Sequence, residues 1–260
     1  MYHLLLIIAI LPVILLGAYI YSKDRHKEPK LLLIKLFAAG IFSCFLVLIL
    51  TYILVFFMPF LTKEYTTMNF IEFTIYIFIS IALVEEFCKW LMTYHFGYKN
   101  KEFDEVYDII VYSVFVALGF AAFENILYVF NIASIQVGIL RGLLAIPGHV
   151  CDGVAMGYYL SLAKYHEKMG NQKEVKINKI KSILIPTLYH GIYDFCCFTE
   201  SGIIVTIFVV FIFFLYSISI KRVKMLSEET MKLKIINNFC PRCGHKVEGE
   251  FCSNCGLKQE

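Results

Sequence analysis

Ionisable side chains fall inside segments that are otherwise almost wholly apolar, and their spacing pairs them. Glu85 and Glu86 precede Lys89 by four and three residues. On a helix one ammonium can then neutralise one carboxylate and leave the other free to work. Two neighbouring carboxylates sharing one cation in a low dielectric titrate as a coupled set, which suits general-base chemistry. His190 and Asp194 lie four apart on one helical face, where the carboxylate can orient the imidazole or share a metal with it. Glu124 and Tyr128 have the same spacing, within reach of a phenol–carboxylate hydrogen bond. His149 follows Pro147-Gly148, a pair expected to kink a helix and free backbone carbonyls, and with Asp152 one turn later the two could face the same cavity. Taken singly, each pattern has a bland alternative: a structural ion pair, or a histidine bonding a neighbouring helix. Gly153 and Gly157 form GxxxG, a pattern for close helix packing.

A second chemistry-bearing set lies at the C-terminus, where Cys240-Pro-Arg-Cys243-Gly is followed by Cys252-Ser-Asn-Cys255-Gly. Paired CxxC knuckles with a glycine after the second cysteine are expected to complete a tetrahedral zinc site, a minimal ribbon ordered by its metal. Four protein ligands leave no open position, so the expected zinc is structural and the ribbon is a candidate for binding a cytoplasmic protein partner. Cys44, Cys88, Cys151, Cys196 and Cys197 are expected to be buried free thiols.

The elements that must position these groups follow from composition. Of 260 residues, 59% are hydrophobic and 17% charged, and the mean hydropathy is +0.69. Average globular chains are about 45–50% apolar and about 25% charged, so the surplus calls for lipid rather than water. The net charge of +3 gives no reason to expect a nucleic-acid partner. A spanning helix needs roughly 20 predominantly apolar residues. Seven stretches qualify: Tyr2–Tyr21, Leu31–Phe60, Phe70–Phe96, Val106–Phe130, Ile135–Leu162, Lys181–Phe198 and Gly202–Ile220. The expected fold is therefore an all-α polytopic membrane protein with about seven transmembrane helices and a small C-terminal zinc ribbon.

Three expected domains result: residues 1–220 in the membrane, a basic linker over 221–238, and the ribbon over 239–260. Basic residues stay on the cytoplasmic side. Lys23, Arg25, Lys27 and Lys30 fill the first loop, Lys99 and Lys101 the third, and a lysine run from Lys164 to Lys181 the fifth. This bias places the N-terminus outside and the C-terminus in the cytoplasm of a multi-pass protein. At about 1.5 Å per residue, Glu85, His149 and His190 share a middle depth, whereas Glu124 comes out nearer the outer surface. Arg141, near the outer end of its span, is expected to snorkel to the interface, with a role near the site as the alternative.

Taken in order, Glu85-Glu86-x-x-Lys89, Phe123-Glu124-x-x-x-Tyr128, His149 and His190-x-x-x-Asp194 resemble the PrsW family of intramembrane proteases, relatives of the CAAX-processing and bacteriocin-processing membrane proteases. The resemblance runs from about the second span to the seventh, and the ordered set is far more specific than any one motif. It implies peptide-bond hydrolysis in a membrane-anchored protein substrate. Glu85, Glu86, His149 and His190 would form the catalytic core, with Lys89, Glu124 and Asp194 supporting it. It also implies a metalloprotease label, with His149 and His190 as candidate ligands of a catalytic zinc, although related enzymes leave open whether the glutamate-activated water needs a metal. The ribbon is an addition to the family pattern.

Neither HExxH nor GxSxG occurs, which sets aside the common zincin and serine-hydrolase arrangements. A proton-coupled transporter could use the same Glu, His and Asp residues as a relay, but no inverted repeat or matched pair of broken helices supports it. A non-catalytic scaffold displaying the ribbon would tolerate neutral replacements of the intramembrane acids; a protease would not.

Overall fold

The computed structural model of the chain describes residues 2–199, 202–236 and 254. All four knuckle cysteines, Cys240, Cys243, Cys252 and Cys255, lie outside the described residues. The described chain is helical and contains no strand. Its α-helices are α1 (Tyr2–Lys23), α2 (Lys30–Phe57), α3 (Phe70–Ile75), α4 (Val84–Met92), α5 (Asp108–Ile132), α6 (Ile135–Leu143), α7 (Ala145–Lys168), α8 (Gln172–Phe198) and α9 (Gly202–Ile236). Five stretches are long and apolar enough to cross a bilayer: His3–Lys23, Lys30–Phe57, Asp108–Ile132, Ile135–Lys168 and Gly202–Glu228. The third and sixth expected spans are also helical, but they are interrupted or polar: one carries Glu85, Glu86 and Lys89, the other a lysine-rich start.

Helix α5 is the axis of the bundle, and its buried residues run nearly without interruption from Asp108 to Ala122. Helices α1, α2 and α7 pack around it. Side chains such as Leu48, Phe56, Ile203 and Phe213 are left exposed in the manner of a lipid-facing surface. The α5–α7 seam depends on the expected GxxxG. A Cβ at Gly153 would meet the Ala117 methyl and the Ser113 carbonyl at 3.1 Å, and one at Gly157 would meet the Ile109 carbonyl at 2.8 Å. This close approach lets Ser113 Oγ donate to the Gly153 carbonyl at 2.7 Å, bringing the middle of α7 against the first turns of α5.

Two features depart from uniform helices. The third expected span is broken by π-helical segments at Tyr76–Leu83 and Thr93–Tyr98 on either side of α4. A π turn re-phases the faces that follow it and frequently marks a functional site; here the first ends immediately before Glu85. In the fifth expected span the chain breaks rather than kinks. Helix α6 stops at Leu143, Leu144 takes φ −121° and ψ −57°, and α7 restarts at Ala145. Pro147 then sits in the first turn of α7, where its missing N–H costs no helical hydrogen bond. The last helix continues past Ile220 to Ile236, through most of the residues expected as a linker.

A buried acidic seam joins the α1–α2 loop to the start of α5. Tyr112 Oη donates to Glu28, and Asp108 Oδ2 accepts from the backbone N–H of Glu105 at 2.7 Å. Burial pushes the Glu28 carboxyl up to about 7 against the opposing pull of the Tyr112 hydrogen bond, helped by the nearby Asp24 and Asp104. The folded state therefore holds this proton more tightly than the unfolded chain, so the stabilisation is complete below the ordinary carboxylate range and is lost as pH rises through about 7. Between pH 5 and pH 8 melting temperature in detergent should fall, with Glu28 contributing an amount equivalent to no more than about 3 kcal/mol. Glu28→Gln should flatten that slope, and an unchanged slope would refute the assignment.

Candidate active site

The polar groups picked out along the sequence converge in one cluster between α4, α5, α7 and α8. Lys89 is at its centre and is 1% exposed. Its ammonium donates to Glu86 Oε1 at 2.6 Å and to His149 Nδ1 at 3.1 Å. It also lies 3.7 Å from Glu85 Oε2 and 4.2 Å over the Phe120 ring. A lysine can only donate, so His149 Nδ1 must accept, which puts the ring proton on Nε2. That nitrogen donates to Glu124 Oε2 at 3.0 Å. On the other side, His190 Nδ1 meets Glu86 Oε1 at 2.9 Å, and Nε2 faces Asp194 Oδ2 at 3.4 Å and Glu85 Oε2 at 3.8 Å. The two imidazoles pack edge to face with centroids 5.3 Å apart.

The adjacent glutamates point to different surroundings. Glu86 is fully buried. Glu85 instead lines a cavity of about 360 Å³, together with Glu124, Arg141, His149, Asp152, His190, Asp194 and apolar residues from α6 to α9. Of the two acids spaced to pair with Lys89, Glu86 takes the short contact, and Glu85 Oε2, itself buried, lies 3.7 Å from Lys89 and 3.8 Å from His190 without a hydrogen bond.

Three placements differ from those expected. Glu124 is not set apart by depth; it touches His149 within the cluster. Its hydrogen bonds go to His149 and Arg141 rather than to the Tyr128 phenol, whose ring lies under the Arg141 guanidinium at 3.9 Å. Arg141 does not snorkel. Its side chain is 18% exposed and grips Glu124 at 2.8 Å. Of the five intramembrane cysteines, all free, Cys197 is exposed and Cys44 half-buried.

Asp152, one turn beyond His149 and spaced to face the same cavity, lines that cavity and belongs to the cluster. One ligand atom each from Glu86, His149, Asp152 and His190 lies within 4.8 Å of the others, and all four residues are buried. Glu86 Oε2 and Asp152 Oδ1 are buried oxygens without a hydrogen-bond partner. Two orphaned carboxylate oxygens beside two imidazoles are a donor set that fits a divalent transition metal, with the ion replacing the Lys89 ammonium at the His149 Nδ1 lone pair while Nε2–H stays on Glu124. The charges agree: Glu85, Glu86, Glu124, Asp152 and Asp194 outnumber the cations Lys89 and Arg141.

A bundle of lipid-exposed helices enclosing a buried carboxylate–imidazole cluster, with Glu85 and three further acids lining a cavity, defines a polytopic membrane protein with a hydrolase-like site. Residues 28–218 match the PrsW family intramembrane metalloprotease profile. The chain is 34% identical over 233 residues to Protease PrsW of Clostridioides difficile strain 630, covering 88% of this chain and 94% of the relative. It is 36% identical over 224 residues to Protease PrsW of Oceanobacillus iheyensis, covering 85% and 95%. Protease PrsW of Bacillus subtilis strain 168 is 33% identical over 187 residues, covering 72% and 79%. No solved structure matches the chain. The chain belongs to the PrsW family and is an intramembrane protease.

Because Lys89 neutralises a fully buried carboxylate, removing it should be expensive. Breaking a buried pair typically costs about 3–5 kcal/mol. Lys89→Met should lower the melting temperature in detergent steeply, and Lys89→Met combined with Glu86→Gln should recover much of the loss. A single mutant that melts like the native chain would remove Lys89 from the centre of the cluster.

Proposed function

We propose that Glu85 is the general base of the protease and that Glu86, His149, Asp152 and His190 hold its metal, with Lys89, Glu124 and Asp194 setting their orientation and charge. The observation that carries this division is the position of Glu85: it lines the cavity, while Glu86 beside it is fully buried and enclosed by Lys89 and His190. The four-residue donor set supports a metal within the family's metalloprotease description. We read that metal as zinc on the chemistry of its donors.

In the proposed reaction a peptide of a membrane-anchored protein lies along the cavity. Glu85 takes a proton from water, whose oxygen adds to the scissile carbonyl carbon. Without a metal, His190, whose Nε2 lies 3.8 Å from Glu85 Oε2, would instead donate towards the developing oxyanion. Glu85 then returns the proton to the departing amine nitrogen as the C–N bond breaks. A bound metal ion would supply Lewis acidity, polarising the carbonyl and acidifying the water. The walls from α6 to α9 exclude bulk water, and in that low dielectric the fixed charges act strongly.

The remaining organisation is proposed on sequence grounds. The lysine bias supports an outer N-terminus and a cytoplasmic C-terminus. The domains are the membrane domain over 1–220, a basic segment over 221–238 and a zinc ribbon over 239–260, with a structural zinc on Cys240, Cys243, Cys252 and Cys255. A cytoplasmic protein partner would fit the ribbon's closed coordination.

Comparative membrane proteomics of cells carrying the native chain or Glu85→Gln should reveal a membrane-anchored protein with a new terminus only in the native case. Glu85→Gln, Glu86→Gln and His190→Ala should each lower cleavage by at least about 100-fold while the chain still accumulates in the membrane. Full cleavage by Glu85→Gln would overturn the assigned base, and activity in all three would dismantle the site.

A further inference from the structure

The family match begins at residue 28, which leaves α1 outside it, yet α1 is tied to the cluster through a short chain of contacts. Arg141 projects from α6 between two glycines, in the sequence Gly138-Ile-Leu-Arg141-Gly142. Both glycines are buried against α1. A Cβ on Gly138 would come within 2.9 Å of Ile8 Cγ2, and one on Gly142 within 3.0 Å of Pro12 Cγ. The short helix α6 therefore rides directly on the α1 surface around Ile8 and Pro12.

From that seat the Arg141 guanidinium is fixed on three sides. Nη2 donates to Glu124 Oε2 at 2.8 Å, Nε donates to Asn125 Oδ1 at 3.0 Å, and the ring of Tyr128 lies 3.9 Å beneath. Asn125 is fully buried and its Nδ2 donates to the Ala9 carbonyl of α1 at 3.1 Å. Arginine can only donate, so the amide must present its oxygen to Arg141 and its nitrogen to α1. The same Glu124 oxygen that Arg141 holds accepts from His149 Nε2.

We infer that Arg141 is a positioning residue of this site: from α6 it holds Glu124 on the His149 ring, and α1 is the support that registers its grip. The inference rests on the protease reading for its kinetic consequence but not for its geometry. A planar fork that bonds Glu124 and Asn125 at once and stacks on Tyr128 is a task lysine cannot fully repeat. Arg141→Lys keeps a point charge for Glu124 and loses the Asn125 bond. Arg141→Gln loses the charge. Gly142→Leu leaves Arg141 intact and pushes its helix off Pro12.

The test has two readouts. With a synthetic single-span peptide carrying a fluorophore and quencher, in detergent micelles, Arg141→Gln should lower kcat by about 100-fold with KM nearly unchanged, the cost expected of a small misplacement. Arg141→Lys should fall between it and the native chain, and Gly142→Leu should resemble Arg141→Gln. In chain labelled with nitrogen-15 at histidine, and assigned with His149→Gln, the His149 imidazole resonances should move in Arg141→Gln and Gly142→Leu. If Arg141 merely stabilised the bundle, melting temperature would drop while the folded molecules kept the native resonance and kcat. That result would overturn the inference, as would a specific rise in KM with kcat intact, which would make Arg141 a substrate contact. Failure of the native chain to cleave the peptide would count against the protease reading, and the imidazole resonances would still decide the clamp.

Discussion

A lysine ammonium enclosed within a membrane bundle is the constraint around which this protein is organised. Lys89 can stay charged there only while Glu86, His149 and Phe120 surround it, because an uncompensated ion in hydrocarbon costs several kcal/mol. Those three partners come from α4, α7 and α5, so satisfying one cation fixes three helices relative to one another. The second shell of contacts extends the demand. His149 must find Glu124, and Glu86 must find His190. Electrostatics supplies the specificity of packing that the hydrophobic effect cannot supply between helices already bathed in lipid.

The same constraint explains the division of labour between the neighbouring glutamates. On successive positions of a helix, side chains diverge by about 100°, a consequence of about 3.6 residues per turn. If one carboxylate turns inward to meet Lys89, the next must turn elsewhere, and here it reaches the cavity. Site and scaffold thus share two adjacent residues, one supporting the interior and the other lining the cavity. The break at Leu144 serves the same end, since it lets α6 and α7 approach the cluster from separate directions. Arg141 and His149 can then contact one carboxylate from opposite sides.

How much could be read in advance follows from these particulars. The i,i+3 and i,i+4 pairs of Glu86 with Lys89 and His190 with Asp194 were legible, because helix geometry alone sets them. The lipid-facing character was legible from composition. The depth of Glu124 was not, because counting residues along a span assumes straight, unbroken helices, and the π-helical segments and the Leu144 break spoil that ruler. Asp152 and Arg141 were undervalued for a related reason. Each stands near a helix disturbance, where an arginine close to a span end ordinarily reaches for water, yet Asn125, Glu124 and Tyr128 detain this one. The pull from Asn125 originates on α5, and sequence spacing carries no information about a neighbour on another helix.

The pairing of Glu86 with Lys89 also bears on how the chain is made. His190, which completes the cluster, lies 104 residues beyond Glu86. At synthesis rates of about 5–20 residues per second, roughly 5–20 s pass before that partner leaves the ribosome. Until His149 follows 60 residues after Lys89, α4 carries two carboxylates and an ammonium through the insertion machinery with no distant imidazole to receive them. Because the ammonium and Glu86 are only one helical turn apart, the segment enters lipid with most of its charge already cancelled. The residues that later arm the enzyme thus act first as a travelling companion pair, and the finished cluster cannot assemble until nearly all of the membrane domain has been synthesised.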